Sequence, residues 1–455
     1  MSIIPRCMRR VTQQEPIVIA FAHFFAARCK PCNGQSYGFS LRRWLTAMML
    51  LSSAMNLWAA PFTYVADSEF RAQSNDFSVI EMTGYSVLSR LSLRRGPYDV
   101  PIDLVAHPAT GKIFIEKAEG LVVVDPAQNA ITADIPIAGL RSRTDDSDDG
   151  IYSDYTGRQT LAVSPDGSTA YLLGVGSVIV VDVINKIVTD TIKVDPSAIT
   201  LIGDREGEAI YVGNTGFRRG ARIGSPSITI VDTALKDIDD TILLPTFFPN
   251  RLAITPDDGQ LYVLGNEVGN TDNQRNAYAI VDLNAGTFSI RKMPVPADAP
   301  RAFSLLSLSF NQNGDRVYFG TYAFVSTGNA MPVFEIDTHT GTTLRTLHVP
   351  IGFADTHYMS RLTGSFADNQ FRLVVFTTEH MHHYPADPPR RAVFLDVQSD
   401  TVLKEVKYTL PNYGVDSFLV GDVLDDAPAI SAISATLRRG ISTEKPKPAA
   451  LTNSR

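Results

Sequence analysis

Residues 161–174 read LAVSPDGSTAYLLG: a short apolar run, a Pro-Asp-Gly turn and a second apolar run opened by a tyrosine. Short β-prone runs on either side of a Pro/Asp/Gly cluster predict two antiparallel strands joined by a tight turn. The same frame then returns with different words. LVAHPATGKIF starts at Leu104, LIGDREGEAIY at Leu201, LAITPDDGQLY at Leu252 and LSFNQNGDRVY at Leu308, each running from a leucine to an aromatic ten positions on. A fainter copy, TGSFADNQFRL, starts at Thr363 and lacks both the leucine and the tyrosine.

Further along each copy a β-branched run closes on an acidic residue: LVVVD at Asp125, VIVVD at Asp182, ITIVD at Asp232, YAIVD at Asp282, VFEID at Asp337 and AVFLD at Asp396. A polar turn and a last short strand follow, as in IVTDTIKV and TTLRTLHV. Four short strands per unit, repeated about every fifty residues, predict radial repetition of four-stranded antiparallel sheets. The ends of the chain supply the missing unit. Residues 63–93 hold only its later strands, and YGVDSFLVGD at 413–422 is a lone strand of the missing kind. The expectation is therefore an all-β, seven-bladed β-propeller over residues 61–424, its ring closed by a C-terminal strand joining the N-terminal blade. Closure of this kind removes two exposed sheet edges.

The pattern Leu-Ala-Val-Ser-Pro-Asp-Gly, then an aromatic-apolar pair, then a run ending Val-Asp, resembles the YVTN-type β-propeller repeat over nearly all of residues 62–422. The resemblance implies seven blades and a protein that is often exported and often a surface, periplasmic or accessory binding protein. Relatives with this repeat also include enzyme subunits and lactonase-like enzymes, so no single activity is implied.

The 455 residues are 44% apolar and 20% charged, an ordinary soluble composition. The first sixty differ. LRRWLTAMMLLSSAMNLWAAPF, from Leu41, places two arginines before an apolar stretch and then Ala59 and Ala60, which predicts a secretory signal peptide over 41–60. Residues 1–40 fit neither a second leader nor a domain and read as a mis-called N-terminal extension. Cys7, Cys29 and Cys32 all fall before residue 61, so an exported chain is expected to hold together without disulfides. The pair in CKPC has redox or metal spacing but no partner pair. Residues 1–60 carry seven of the 41 basic and one of the 48 acidic residues, leaving 34 against 47. That balance argues against nucleic acid or an anionic membrane as the main partner. No membrane span is expected after the leader, and the destination is periplasmic or secreted. Residues 425–455, rich in Ala, Ser, Thr and Pro, read as a disordered tail.

With strands labelled A to D from the axis outward, A–B and C–D turns share one face. B–C loops and the links between blades share the other. The A–B and C–D turns are short, whereas GNTGFRRGARIGSP, GNEVGNTDNQRNA and TTEHMHHYPADPPRR are long B–C loops, and the links at 140–159 and 349–361 are long too. Insertions segregated to the end where a propeller's funnel opens point to a working face.

On that face stand the candidates. Arg218 with Arg219 and Arg222, Arg275, Arg251, Arg301 and Arg361 offer guanidinium groups to a carboxylate or phosphate, with Arg251 and Arg301 expected nearest the axis. His357 and Tyr358 lie on a neighbouring link. His380, His382 and His383 in TEHMHHY are candidate ligands for a transition metal. Asp145, Ser147 and Asp149 in DDSDDG resemble the first half of a Ca2+ loop, but Thr156 stands where its closing glutamate belongs. Against these stand plain alternatives: solvated histidines, a hydrated acidic loop and arginines paired with loop aspartates. There is no Gly-x-Ser-x-Gly elbow, phosphate-cradling loop or haem-attachment motif. No cofactor is strongly implied. The expected function is an exported binding module for a small anionic ligand or a partner protein. The other reading is an enzyme or enzyme subunit, either a lactonase-like hydrolase or a cofactor-free propeller subunit of a periplasmic oxidoreductase.

Overall fold

The stretch at 161–174 folds as a hairpin in which Leu161–Val163 pairs antiparallel with Thr169–Gly174, Leu161 opposite Leu172 and Ala162 opposite Tyr171. Its turn closes on itself: Gly167 N donates to Ser164 O at 2.8 Å, while Ser164 Oγ and Ser168 N both donate to Asp166 Oδ1. Those donors, the Ser164 hydroxyl foremost, hold the Asp166 carboxyl down at about 2. Gly167 has φ 71°, a left-handed conformation that favours glycine, which is why the motif spells Gly there.

The computed structural model describes residues 62–68, 76–81, 86–93, 101–140, 159–218, 221–267, 277–293, 303–325, 330–350, 356–367, 370–380, 390–408 and 418–424. All lie in the second of two units, Met1–Leu57 and Trp58–Arg455, into which the chain divides. Residues 1–61, which hold the expected leader and Cys7, Cys29 and Cys32, and residues 425–455, the expected tail, fall outside the described residues.

Seven four-stranded antiparallel blades make a β-propeller. Blade 1 begins with β1 (Phe62–Ser68), β2 (Asp76–Glu81) and β3 (Ser86–Ser92). Blade 2 is β4 (Pro101–Ala106), β5 (Ile113–Lys117), β6 (Gly120–Asp125) and β7 (Ala130–Pro136). Blade 3 is β8 (Leu161–Val163), β9 (Thr169–Gly174), β10 (Ser177–Asp182) and β11 (Ile187–Lys193). In blade 4, β12 (Ala198–Gly203) and β13 (Ala209–Asn214) are followed by a small hairpin, β14 (Phe217–Arg218) and β15 (Ala221–Arg222), before β16 (Ser227–Asp232) and β17 (Asp237–Leu243). Blade 5 is β18 (Phe247–Ile254), β19 (Gln260–Glu267), β20 (Ala277–Asp282) and β21 (Thr287–Lys292). Blade 6 is β22 (Phe303–Phe310), β23 (Arg316–Val325), β24 (Ala330–Asp337) and β25 (Thr343–Pro350). Blade 7 is β26 (Thr356–Ala367), β27 (Gln370–His380), β28 (Arg390–Asp396) and β29 (Thr401–Tyr408).

The last strand, β30 (Phe418–Leu424), pairs antiparallel with β1 from Ser68↔Phe418 to Phe62↔Leu424 and completes blade 1 as its innermost strand. Ring closure by both ends of the chain is thus as expected, with the closing strand set a few residues later than 413–422. Phe62 and Leu424 are register partners, so the chain enters and leaves the propeller on one face, that of the A–B turns.

The core lies between blades rather than within them. Successive side chains of a strand point to opposite faces, so one strand serves two interfaces. Ile113 and Ile115 pack with Tyr64, Phe77 and Val79 of blade 1, whereas Phe114 packs with Leu161, Ala170 and Leu172 of blade 3. Phe114 is fully buried. The repeat aspartates bind the C–D turns: Asp182 Oδ1 accepts Asn185 N at 2.8 Å, Asp232 Oδ1 accepts Leu235 N at 2.7 Å and Asp337 Oδ1 accepts Thr340 N at 2.9 Å. Backbone donors of this kind hold the Asp182 and Asp337 carboxyls below their ordinary value.

Blade 7 corrects the sequence frame. Leu362 stands opposite Val375, as Leu252 stands opposite Val263, and Val374 takes the place of the tyrosine. The leucine is therefore present one residue before Thr363. Longer A and B strands joined at residues 368–369 stretch its spacing to the aromatic site beyond that of the other copies. Blades 6 and 7 are also joined: the end of β23 pairs with the start of β26, from Tyr322↔Met359 to Val325↔Thr356.

Candidate functional site

Each inner strand reaches the loop-rich face at its first residues. There, β4, β12, β18 and β22 carry a register irregularity between Pro101 and Asp103, Ala198 and Thr200, Pro249 and Arg251, and Leu305 and Ser307. The matching register sets one ring of residues around the axis. Asp103, Thr160, Thr200, Arg251, Ser307 and Arg361 each directly precede the repeat leucine, counting Leu362 for blade 7.

An inner strand has a sheet partner on one edge only, so alternate backbone N–H groups turn to the axis and need acceptors. Asp103 supplies two blades: Oδ1 accepts Leu104 N at 2.9 Å, and Oδ2 accepts Thr160 N at 2.9 Å and Leu161 N at 3.2 Å. Gln159 supplies the next two, its backbone O accepting Leu201 N at 2.7 Å and its Oε1 accepting Leu252 N at 3.0 Å. Gln159 ends the long link between blades 2 and 3, which thereby ties three successive inner strands together.

Beside Asp103, and directly opposite it in register, stands Glu116, whose Oε2 accepts the Thr160 hydroxyl at 2.6 Å. Lys117 follows, with Nζ donating to Leu93 O at 3.4 Å and lying 3.9 Å from Asp134. All three charged residues are about 1% exposed. Buried charges persist only where hydrogen bonds and partners compensate their lost hydration. Sequence reasoning passed over this trio. Its signal was the Glu-Lys pair in a strand whose counterparts in blades 3 to 6 carry Leu-Gly, Gly-Asn or Gly-Thr at those two places.

The hairpin β14–β15 is the described part of an enlarged B–C loop. Ile223 N and Gly224 N donate to Gly216 O at 2.8 and 3.0 Å, Gly216 N donates to Ser197 Oγ at 2.8 Å, and Phe217 meets Phe248 of blade 5 edge-on at 5.3 Å. Arg218 is half-buried there and Arg222 exposed, its Nε donating to Gly224 O. The Asn214 side chain beneath is fully buried, donating to Ser227 Oγ and Thr229 Oγ1.

The other candidates divide into three groups. Arg251 lies within β18 rather than ahead of it, half-buried, and Arg361 lies within β26 at the same ring level. His357, Tyr358 and His380 stand in strands, not loops: His357 is the register partner of His380, and Tyr358 of Glu379. Arg301, Arg275, His382, His383, Asp145, Ser147 and Asp149 lie outside the described residues. Arg391 is a strand residue, 6% exposed and 3.5 Å from Glu405. Among the described residues no group of three or more His, Cys, Asp or Glu is placed to hold a metal ion. Among them, too, no helix is long and apolar enough to cross a membrane.

No protein-family model matches the chain, and neither does any curated protein. Solved structures similar to it include the hydrazine synthase of Kuenenia stuttgartiensis, 16% identical over 67% of this chain and 79% of that one, with a TM-score of 0.47. Another is the β-propeller domain of Cps50 (Swd1) from Myceliophteria thermophila, 12% identical over 69% of this chain and 89% of that one, also at 0.47.

Proposed function

We propose that this chain is an exported binding module that takes up a small anionic ligand, or the acidic surface of a partner protein, on its loop-rich face. The observation carrying this reading is the uneven growth of the connections. On the opposite face every A–B and C–D connection is short, the longest being residues 107–112, while residues 141–158, 215–226, 268–276 and 381–389 enlarge the other. Loops free to grow anywhere have grown where inner strands present backbone N–H groups to the axis. Arg251, Arg301, Arg361, Arg218 and Arg275 are the residues we assign to anion capture, together with His357 and Tyr358. The apolar stretch from Leu41 to Ala60 supports the exported, periplasmic or secreted destination. The YVTN-type repeat residues support membership of that group.

Thermal-shift and calorimetric titration with a panel of small carboxylates and phosphates tests the assignment. The chain should bind at least one member, and the double variant Arg251→Ala, Arg301→Ala should lose that binding at least tenfold with its melting temperature nearly unchanged. Undiminished affinity in the double variant would remove the arginine assignment.

A second reading, an enzyme or enzyme subunit, draws support from Asp103 and Glu116 meeting at Thr160. Both oxygens that meet there already accept protein donors, which favours a latch over a reacting pair. Hydrolysis of a lactone panel by the purified chain, abolished in Glu116→Gln, would move the assignment to that reading.

A further inference from the structure

The inward N–H of the repeat leucine is met in blades 2 to 5 by an oxygen of this chain, from Asp103 or Gln159. Leu308 of blade 6 occupies the same place. It stands opposite Phe319 as Leu252 stands opposite Val263, one residue past the same strand irregularity, so its N–H turns to the axis as well. Among the described residues its N–H makes no hydrogen bond outside the β22–β23 ladder, and the leucine is 8% exposed. A backbone donor so enclosed is seldom left without a partner, because losing its hydration without replacement costs about 1–3 kcal/mol.

Resting on the anion-binding reading above, we propose that the Leu308 N–H is the anchor of the ligand site and that the group it binds is a carboxylate of a small organic acid. The chain contains its own template for this chemistry, since Asp103 shows one carboxylate taking the N–H groups of two neighbouring inner strands at this level. The neighbours fit in charge. Blade 6 contributes Ser307 at the ring position and is flanked by Arg251 of blade 5 and Arg361 of blade 7, where blades 2 to 4 present Asp103, Thr160 and Thr200. The acceptor-supplying residues lie on one side of the ring and the basic positions on the other. A ligand carboxylate extends the pattern to blade 6, and charge-assisted bonds to N–H groups are the stronger kind.

The Asp103 arrangement also provides the test. Ser307→Asp puts a carboxylate directly before Leu308, as Asp103 stands before Leu104, and so supplies a competitor for the ligand. In the full chain, labelled with 15N-leucine and titrated with sodium succinate against sodium chloride of equal ionic strength, the Leu308 amide resonance should shift with saturation. Ser307→Asp should weaken succinate binding at least tenfold. An unmoved Leu308 resonance at saturating succinate overturns the proposal, and so does undiminished affinity in a folded Ser307→Asp variant. In either case the anion-binding reading survives if the Arg251→Ala, Arg301→Ala variant has lost succinate. A chain that binds no carboxylate or phosphate of the panel overturns both.

Discussion

Asp258 stands where the other described A–B turns place a left-handed glycine. Its φ is 53°, against 65° to 76° for Gly111, Gly167, Gly207 and Gly314. A residue with a Cβ gives up about 1 kcal/mol in that conformation. The side chain adds a second cost. Asp258 Oδ1 is buried without a hydrogen bond, and burial, reinforced by Asp204, Glu206 and Asp257, pushes its carboxyl up despite the opposing Arg205. Asp258→Gly should therefore raise the melting temperature by roughly 2 °C, the equivalent of about 1 kcal/mol in a chain of this size. The sign of the pH effect follows from the raised folded-state value: the wild-type penalty is absent below the ordinary aspartate range near 4 and grows as pH rises through the folded value. The gain from the substitution is accordingly larger at pH 7 than at pH 4, as paired thermal melts would read. In sequence the repeat marks this turn, but the aspartate's strain shows only once five turns are overlaid.

At the scale of elements, strands and turns were legible because each repeats a local chemistry: leucine, turn cluster, aromatic, β-branched run, aspartate. What crosses between elements was not. The frame of blade 7 slipped by a residue because Leu362 and Val374 lack a tyrosine to anchor them. The pairing of β23 with β26 leaves no local mark, since it depends on two strands overrunning their blades. The outer strands show a related device. Register irregularities interrupt β3, β7, β11, β17, β25 and β29, blunting edges that would otherwise offer regular pairing to another chain, and only β21 is uninterrupted. The Phe217–Phe248 edge-on pair ties the β14–β15 hairpin to blade 5 and is worth about 1 kcal/mol beyond its buried area. Phe217→Ala should speed amide exchange at Ile223 and Gly224 at least tenfold. The global melting temperature should fall by no more than roughly 2 °C, because the blade below keeps its own core. Equal losses in both would mean that the hairpin is part of the cooperative unit.

For the whole molecule, the ring depends on one short strand, β30, held to β1 in continuous register. The incomplete first unit and the lone strand at the end announced this in the sequence, whereas the ring of axial N–H groups and its Asp103 and Gln159 acceptors could be read only from the assembled blades. Because closure is non-covalent, a bridge there should stabilise strongly. Ala66 and Val420 are register partners, and Ala66→Cys with Val420→Cys closes almost the whole propeller into one loop. In a background with Cys7, Cys29 and Cys32 changed to serine, the oxidised form should exceed the reduced one by about 3–5 kcal/mol, seen as a melting point that falls on adding reductant. No difference between the two forms would mean that unfolding does not begin at the seam. The same seam governs how the molecule can be mounted. Since Phe62 and Leu424 are register partners on the short-turn face, a bead, a sensor chip or a fused tag joined directly at either residue, in a chain trimmed to 62–424, holds the propeller by its back. Its long-loop side then points into solution, and neither choice of handle obstructs what that side receives.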